Sequence, residues 1–196
     1  MNYKKKLIFL ERELKNQKKI YQPTLFWKKL TYSFFTIFNK KGINNFRSDS
    51  LANDFFVPLF HLKRDRLARK VDNLLKRNKK KSFKIATEIQ RHLEGHNQAF
   101  SDYRAFKAAD NPLKPPFLHL FSENNIGKPI EQFNFDGKKY SRSSLNYLLG
   151  LSALKKINNT FNPKTVLEIG GGFGILGHIL GQSKIKNFRY INLDLP

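Results

Sequence analysis

The residues of this sequence whose types and spacing could do chemistry lie in its last 32 positions. Residues 165–169 form a β-type run, which is followed by a glycine-rich stretch, a helical pattern and a second β-type run that ends before Asp194. Glycines let a backbone approach a ligand closely, and a helix N-terminus supplies free N–H donors. An acid after the second strand can accept hydrogen bonds from ribose hydroxyls. The order of these features predicts half of a nucleotide-binding α/β fold.

Two interpretations of the glycine stretch compete. In the first, residues 172–177 match the Gly-x-Gly-x-x-Gly pattern of dinucleotide-binding enzymes, and Asp194 follows at the expected separation. In the second, an acid and three glycines alternate: Glu168, Gly170, Gly172 and Gly174. The carboxylate then lies at the strand end, where it can meet a ligand ammonium, and Gly177 only allows close packing of the helix. S-adenosylmethionine carries such an ammonium and NAD does not, so the second interpretation is favoured.

With these residues, the C-terminal part of the sequence resembles a known family. Residues 166–174, Val-Leu-Glu-Ile-Gly-Gly-Gly-Phe-Gly, are similar to motif I of class I S-adenosylmethionine-dependent methyltransferases. Residues 190–196, Tyr-Ile-Asn-Leu-Asp-Leu-Pro, resemble the next motif. Together with Gly-Lys-Lys-Tyr-Ser at 137–141, the double glycine and the Asp-Leu-Pro ending are similar to the sugar O-methyltransferase family. The resemblance covers about residues 123–196.

This resemblance implies an S-adenosylmethionine-dependent O-methyltransferase that acts on a sugar hydroxyl, with S-adenosyl-L-methionine as its cofactor. It implies that the cofactor is held by seven residues: Glu168, Gly170, Gly171, Gly172, Phe173, Gly174 and Asp194. Glu168 and the glycines would hold the methionine part, and Asp194 the ribose. No catalytic base is assigned. Since class I methyltransferases have a seven-stranded sheet, we expect this chain to be the truncated front part of such an enzyme and to be inactive alone.

The elements that must position these residues fall into three regions. Residues 1–110 are predicted to be a basic, mostly helical N-terminal region, and residues 111–142 a connector with a short hairpin. Residues 143–196 are predicted to begin a Rossmann-like S-adenosylmethionine-binding domain. The predicted fold class is therefore α/β, with an incomplete sheet.

Local patterns predict the individual elements. Apolar residues at helical spacing favour helices in 7–14, 59–75 and 83–93, and we expect Gly95 to end the last of these. The aromatic-rich stretch 25–38 is expected to pack under its neighbours, although it could also be a membrane-surface helix. Nearer the C-terminus, three signals mark the element ends: Asp136-Gly137 as a hairpin turn, Ser143 as a helix cap and Gly181 as a helix end.

The charge of the chain admits a second class of function. The net charge is +22, and residues 1–100 hold 24 Lys and Arg against 8 Asp and Glu. Such a surplus suggests RNA or an anionic membrane surface as a partner. The abundance of Lys, Asn and Phe also fits an AT-rich genome, which we favour, so a nucleic-acid partner is not expected. The family resemblance implies a small-molecule or saccharide substrate instead. A basic helical binding module, or a non-functional truncated remnant, is the alternative to the enzyme.

Other chemistry is excluded or disfavoured by composition. The absence of cysteine rules out disulfides and thiolate chemistry. His92 and His96 are four residues apart, but no third ligand accompanies them, so no metal site is predicted. No apolar run is long enough to span a membrane or to serve as a signal peptide, and a cytoplasmic protein is expected. His178 could approach a substrate, but a packing role on its helix is favoured.

Overall fold

The computed structural model describes residues 3–48, 66–77, 89, 95–129, 131–158 and 160–194. Helices predominate and the strands form two small sheets, so the fold is mixed α and β. The helices are α1 (Tyr3–Asn16), α2 (Leu25–Lys41), α3 (Arg66–Arg77), α4 (His96–Ala109), α5 (Arg142–Ile157) and α6 (Ile175–Gln182). The strands are β1 (Phe133–Phe135), β2 (Lys138–Tyr140), β3 (Thr165–Ile169) and β4 (Arg189–Leu193).

The N-terminal helices agree with the sequence expectations where they are described. Helices α1 and α2 contain the predicted stretches, and α3 contains the second half of the predicted helix at 59–75. The predicted helix at 83–93 lies outside the described residues apart from Ile89. Gly95 directly precedes α4, with a φ of 76°, and the end of the helix that it was predicted to terminate lies outside the described residues.

Two predicted helix boundaries are wrong by two residues or less. Ser141, and not Ser143, caps α5: its hydroxyl accepts from the Ser144 N–H, and the Ser144 hydroxyl accepts from the Ser141 N–H. This reciprocal capping box satisfies two N–H groups at once, and Ser143 lies inside the first turn of the helix. Helix α6 also continues past Gly181, since one exposed helical glycine costs only about 1 kcal/mol.

The hairpin forms as the sequence predicts. Strands β1 and β2 pair antiparallel, with Phe133 opposite Tyr140. The turn residues Asp136 and Gly137 both have positive φ, 49° and 73°. These angles are those of the tight turns that match the twist of a two-stranded ribbon.

One hydrophobic core joins the hairpin to α4, α5 and α6. Its buried members are Ala99, Tyr103, Phe106, Leu118, Phe121, Phe133, Phe135, Tyr140, Leu145, Leu148, Leu151, Ile175, Ile179 and Leu180. A buried ion pair, Lys155 Nζ to Asp110 Oδ1 at 2.7 Å, ties α5 to the end of α4. The core therefore fixes α6, and with it the glycine stretch that precedes α6, to the connector and hairpin.

Strands β3 and β4 are parallel neighbours, and α6 connects them as a β-α-β unit. Glu168 lies opposite Asn192 in the register. On the face toward the core, Glu168 is buried, whereas three apolar residues on the other face are exposed: Leu167 at 55%, Ile169 at 79% and Leu193 at 54%.

Candidate functional site

The glycine-rich loop between β3 and α6 is a tight turn with an open surface. Gly170, Gly172 and Gly174 have φ values of 72°, 52° and 76°, a region that side chains other than glycine rarely adopt. A Cβ atom on any of these three residues would meet no other atom within 4 Å. The loop therefore needs glycine for its backbone conformation, and its surface has room for a ligand.

The carboxyl end of β4 is hydrogen-bonded to this loop. The Gly172 N–H donates to Asp194 Oδ2 at 2.5 Å, and the Gly171 N–H donates to Asn192 Oδ1 at 3.3 Å. The Gly170 N–H donates to the Leu193 carbonyl at 2.7 Å. The structure thus brings the Asp194 carboxylate to the edge of the glycine loop, although the two are 22 residues apart.

The Glu168 carboxylate lies buried beneath the loop. It accepts a hydrogen bond from the Tyr147 hydroxyl of α5 at 2.9 Å and another from the Tyr190 hydroxyl of β4. Burial, and then the bond to Glu168, raise the pKa of Tyr147 to about 12, and the same causes raise the pKa of Tyr190. Both hydroxyls therefore stay protonated and donate, and the second lone pair of each carboxylate oxygen remains for a further donor.

Two further glycines allow close packing around the carboxylate. A Cβ on Gly171 would come within 2.6 Å of Glu168 Oε2 and of Asn192 Oδ1. A Cβ on Gly177 would come within 2.5 Å of the Tyr190 ring. The expectation that Gly177 is a packing residue of the helix agrees with this geometry.

Phe173 connects the loop to the N-terminal helices. Its ring packs against Phe46, with 5.7 Å between the ring centroids, and the Arg47 guanidinium lies 4.6 Å from the ring centroid. Phe46 is also buried with Ile37 of α2. The Phe173 side chain therefore holds the N-terminal helices against the loop, while its backbone forms part of the loop.

A buried ion pair supports that contact. Arg47 Nη2 lies 2.6 Å from Glu123 Oε1, and the side chains are 4% and 1% exposed. The other oxygen of Glu123 accepts the Ser141 N–H at the start of α5. One carboxylate thus links the N-terminal region, the connector and α5.

His178 has the packing role that the sequence favoured. Its ring packs edge-on against Phe121, with 5.4 Å between centroids, and its Nε2 lies 2.6 Å from Gln182 Nε2. Burial lowers the pKa of His178 below the usual value for histidine, so the ring is neutral at physiological pH. Nothing in this arrangement points His178 at the glycine loop.

The structure brings together the residues that the sequence singled out. Glu168 lies beneath the loop, Gly170 to Gly174 form it, and Asp194 lies at its edge. Sequence reasoning missed Tyr147 and Arg47, whose positions carry no local signal. It could have found Tyr190 and Asn192, because they alternate with Asp194 on one face of a strand.

No group of three or more His, Asp or Glu residues in the described ranges is arranged to hold a metal ion, and His92 lies outside those ranges. Within the part of the chain that the structure describes, no helix is long and apolar enough to cross a membrane. Comparison of the chain with protein-family models, with curated proteins and with solved structures gives no match.

Proposed function

We propose that the β3–α6–β4 unit binds S-adenosyl-L-methionine and belongs to a Rossmann-like O-methyltransferase of class I, whose acceptor is a sugar hydroxyl. The observation that carries the proposal is the placement of two carboxylates on either side of an open glycine loop. Glu168 lies beneath the loop and Asp194 lies at its outer edge. Two acids so placed suit a ligand with a cationic group at one end and a vicinal diol further along.

Each of the two carboxylates is suited to accept hydrogen bonds from one part of the cofactor. Glu168 keeps acceptor capacity for the ammonium of the methionine part, and its two tyrosine partners fix the orientation of the carboxylate. Asp194, which is exposed, would exchange its bond to the Gly172 N–H for the ribose hydroxyls. Bound cofactor supplies a methyl group on a sulfonium for transfer to an oxygen nucleophile. The contribution of these residues is binding and orientation.

The test is calorimetry of the 196-residue chain with S-adenosylmethionine and, separately, with NADH. We expect heat with the first ligand only. Glu168→Gln keeps the size of the side chain but removes the charge, and Asp194→Ala removes the ribose acceptor. Because each bond to a charged group contributes about 1.5–3 kcal/mol, each variant should weaken binding at least about tenfold.

Glycine variants supply a matched control. Gly172→Val places a side chain in the open space of the loop, at a position with positive φ, and should abolish the heat. Gly137→Val imposes the same kind of backbone strain in the hairpin turn, where a Cβ also has no neighbour within 4 Å. Binding retained in Gly137→Val but lost in Gly172→Val supports the proposal. Tight NADH binding, or unchanged affinity in Glu168→Gln and Asp194→Ala, contradicts it.

A further inference from the structure

The chain between α1 and α2 exposes a dense group of large apolar side chains. We call residues 18–29 the α1–α2 tip: it comprises the 3-10 turn Lys19–Tyr21 and the first residues of α2. Five of its side chains are exposed: Ile20 at 82%, Tyr21 at 65%, Leu25 at 72%, Phe26 at 65% and Trp27 at 47%. Single exposed apolar residues are ordinary, but five within twelve residues form a patch of the kind that marks an interaction site.

The two halves of α2 behave differently. Phe35 and Ile37, in the second half, are buried, and Phe34 and Phe38 pack beside them against Phe46. At the other end, the Phe26 and Trp27 rings contact each other edge to face, with centroids 5.4 Å apart, and both stay exposed. The expectation that the whole stretch 25–38 packs under its neighbours is therefore correct only for its second half.

Lysines flank the apolar patch on both sides. Lys18 and Lys19 precede it, Lys28 and Lys29 follow it, and all four are exposed. The tip contains no Asp or Glu. The partner must therefore offer negative charge beside an apolar phase.

An anionic bilayer meets both requirements. Trp and Tyr favour the level of the lipid headgroups, and lysine stems lie along apolar surface while their ammonium groups reach phosphate. RNA would also attract lysines and stack on aromatic rings. It would, however, make no use of Ile20 and Leu25, the two most exposed apolar side chains of the tip.

We propose that the α1–α2 tip binds the surface of an anionic lipid bilayer. Leu25, Phe26 and Trp27 enter the boundary between headgroups and acyl chains, and the two lysine pairs contact lipid phosphates. This proposal goes beyond the proposed methyltransferase function and does not depend on it.

Trp27 provides a direct test, because it is the only tryptophan of the chain. Its emission is measured with the full chain and vesicles of phosphatidylcholine containing one third phosphatidylglycerol, and with phosphatidylcholine vesicles as the comparison. We expect a blue shift and co-sedimentation with the anionic vesicles only, both weakened by salt. Brominated acyl chains in the anionic vesicles should quench the emission.

Variants distinguish vesicle binding by the α1–α2 tip from nonspecific adsorption of the protein. Leu25→Ser with Phe26→Ser keeps the Trp27 reporter and should lower vesicle binding at least tenfold, as should Lys28→Glu with Lys29→Glu. Leu113→Ser alters a side chain that is 87% exposed outside the tip, and it should leave binding unchanged. Circular dichroism of each variant checks that the helices are retained.

Five results would overturn the proposal. The first three are no shift with anionic vesicles, equal shifts with both kinds of vesicle, and equal binding by the Leu25→Ser, Phe26→Ser variant and the unaltered chain. The fourth is a blue shift on raising the protein concentration without lipid, which would identify a second copy of the chain as the partner. Tighter binding of polyuridylate than of anionic vesicles, unchanged by the serine substitutions, would assign the lysines to RNA and likewise refute it.

Discussion

Replacing Arg47 by Met should destabilise the protein more than any exposed substitution and should loosen the glycine loop. Arg47 pairs with Glu123 at 2.6 Å, both side chains are at least 96% buried, and the guanidinium covers Phe173. Methionine fills much of the same volume but leaves the Glu123 carboxylate buried without its cation. Among the described residues, its remaining donor is then the Ser141 N–H.

The expected magnitude follows from this burial. Removing one partner of a buried ion pair costs about 3–5 kcal/mol, because the other charge is left uncompensated. The total free energy of unfolding of a domain is about 5–15 kcal/mol, so much of the stability would be lost. Arg47→Met combined with Glu123→Leu removes both charges of this pair, and we expect this double variant to be more stable than Arg47→Met alone.

Urea unfolding followed by circular dichroism measures these differences. Lys15→Met is the exposed control: Lys15 is 73% exposed in its pair with Glu11, and its loss should cost less than about 0.5 kcal/mol. Hydrogen exchange of the amides at 170–174 tests the link to the loop. Lys155→Met breaks another buried pair, with both side chains 4% exposed, but should raise exchange in the loop less than Arg47→Met does.

Three outcomes would refute this reasoning. If Arg47→Met and Lys15→Met lose the same small amount of stability, the Arg47 pair is not buried in solution. If the double variant is less stable than Arg47→Met, the uncompensated charge is not the source of the loss. Equal exchange in the loop for Arg47→Met and Lys155→Met would show that the Phe173 contact does not hold the loop.

Three shorter predictions concern neighbouring elements. Gly177→Ala should lower the free energy of unfolding in urea by about 1–3 kcal/mol, because its Cβ would lie 2.5 Å from the Tyr190 ring. Gly181→Ala places its Cβ in open space and should leave the free energy of unfolding unchanged. Equal effects of the two substitutions would contradict this packing. Burial lowers the pKa of His178, so the unfolded state binds more protons than the folded state as pH falls through about 6.5. The free energy of unfolding should therefore fall between pH 7.5 and 5.5. A His178→Gln variant whose stability falls equally steeply would show that His178 is not the cause. We expect the exposed outer face of the β3–β4 sheet, where Ile169 is 79% exposed, to cause self-association. Ile169→Lys should reduce this association in analytical ultracentrifugation, and an unchanged sedimentation profile would contradict the expectation.

The structural features that the sequence predicted correctly are those that depend on a few neighbouring residues. The Asp136-Gly137 turn, the two parallel strands and the glycine loop all depend on local backbone preferences, and the structure has each of them. Helix α4 was not predicted as an element of its own, although Ala99, Tyr103 and Phe106 recur at helical spacing. The choice of Ser141 over Ser143 as a cap depended on a partner hydroxyl three residues ahead, a signal that was present and was missed.

Contacts between distant parts of the chain were beyond such reasoning. Arg47 and Glu123 are 76 residues apart, and nothing near either residue distinguishes it from the other charged residues of the chain. The hydroxyl of Tyr147 reaches Glu168 only because α5 packs on the β-α-β unit through the shared core. One sequence supplies periodicities and turn signals, but it does not specify which charged residue will be buried beside which partner.

The β3–β4 sheet departs from the usual distribution of polar residues on its two faces. The face toward the core carries Glu168, Tyr190 and Asn192 beside the apolar Val166, whereas the outer face exposes Leu167, Ile169 and Leu193 beside Thr165 and Arg189. A sheet with one face in water normally turns its polar residues outward, and only a parallel sheet covered on both faces is apolar on both. The outer face is therefore suited to a second layer of structure, while the inner polar residues are fixed by hydrogen bonds to the tyrosines and to the glycine loop. In the proposed function, the polar groups of the inner face serve ligand binding, and this is the reason to look for the ligand at Glu168 and Asp194.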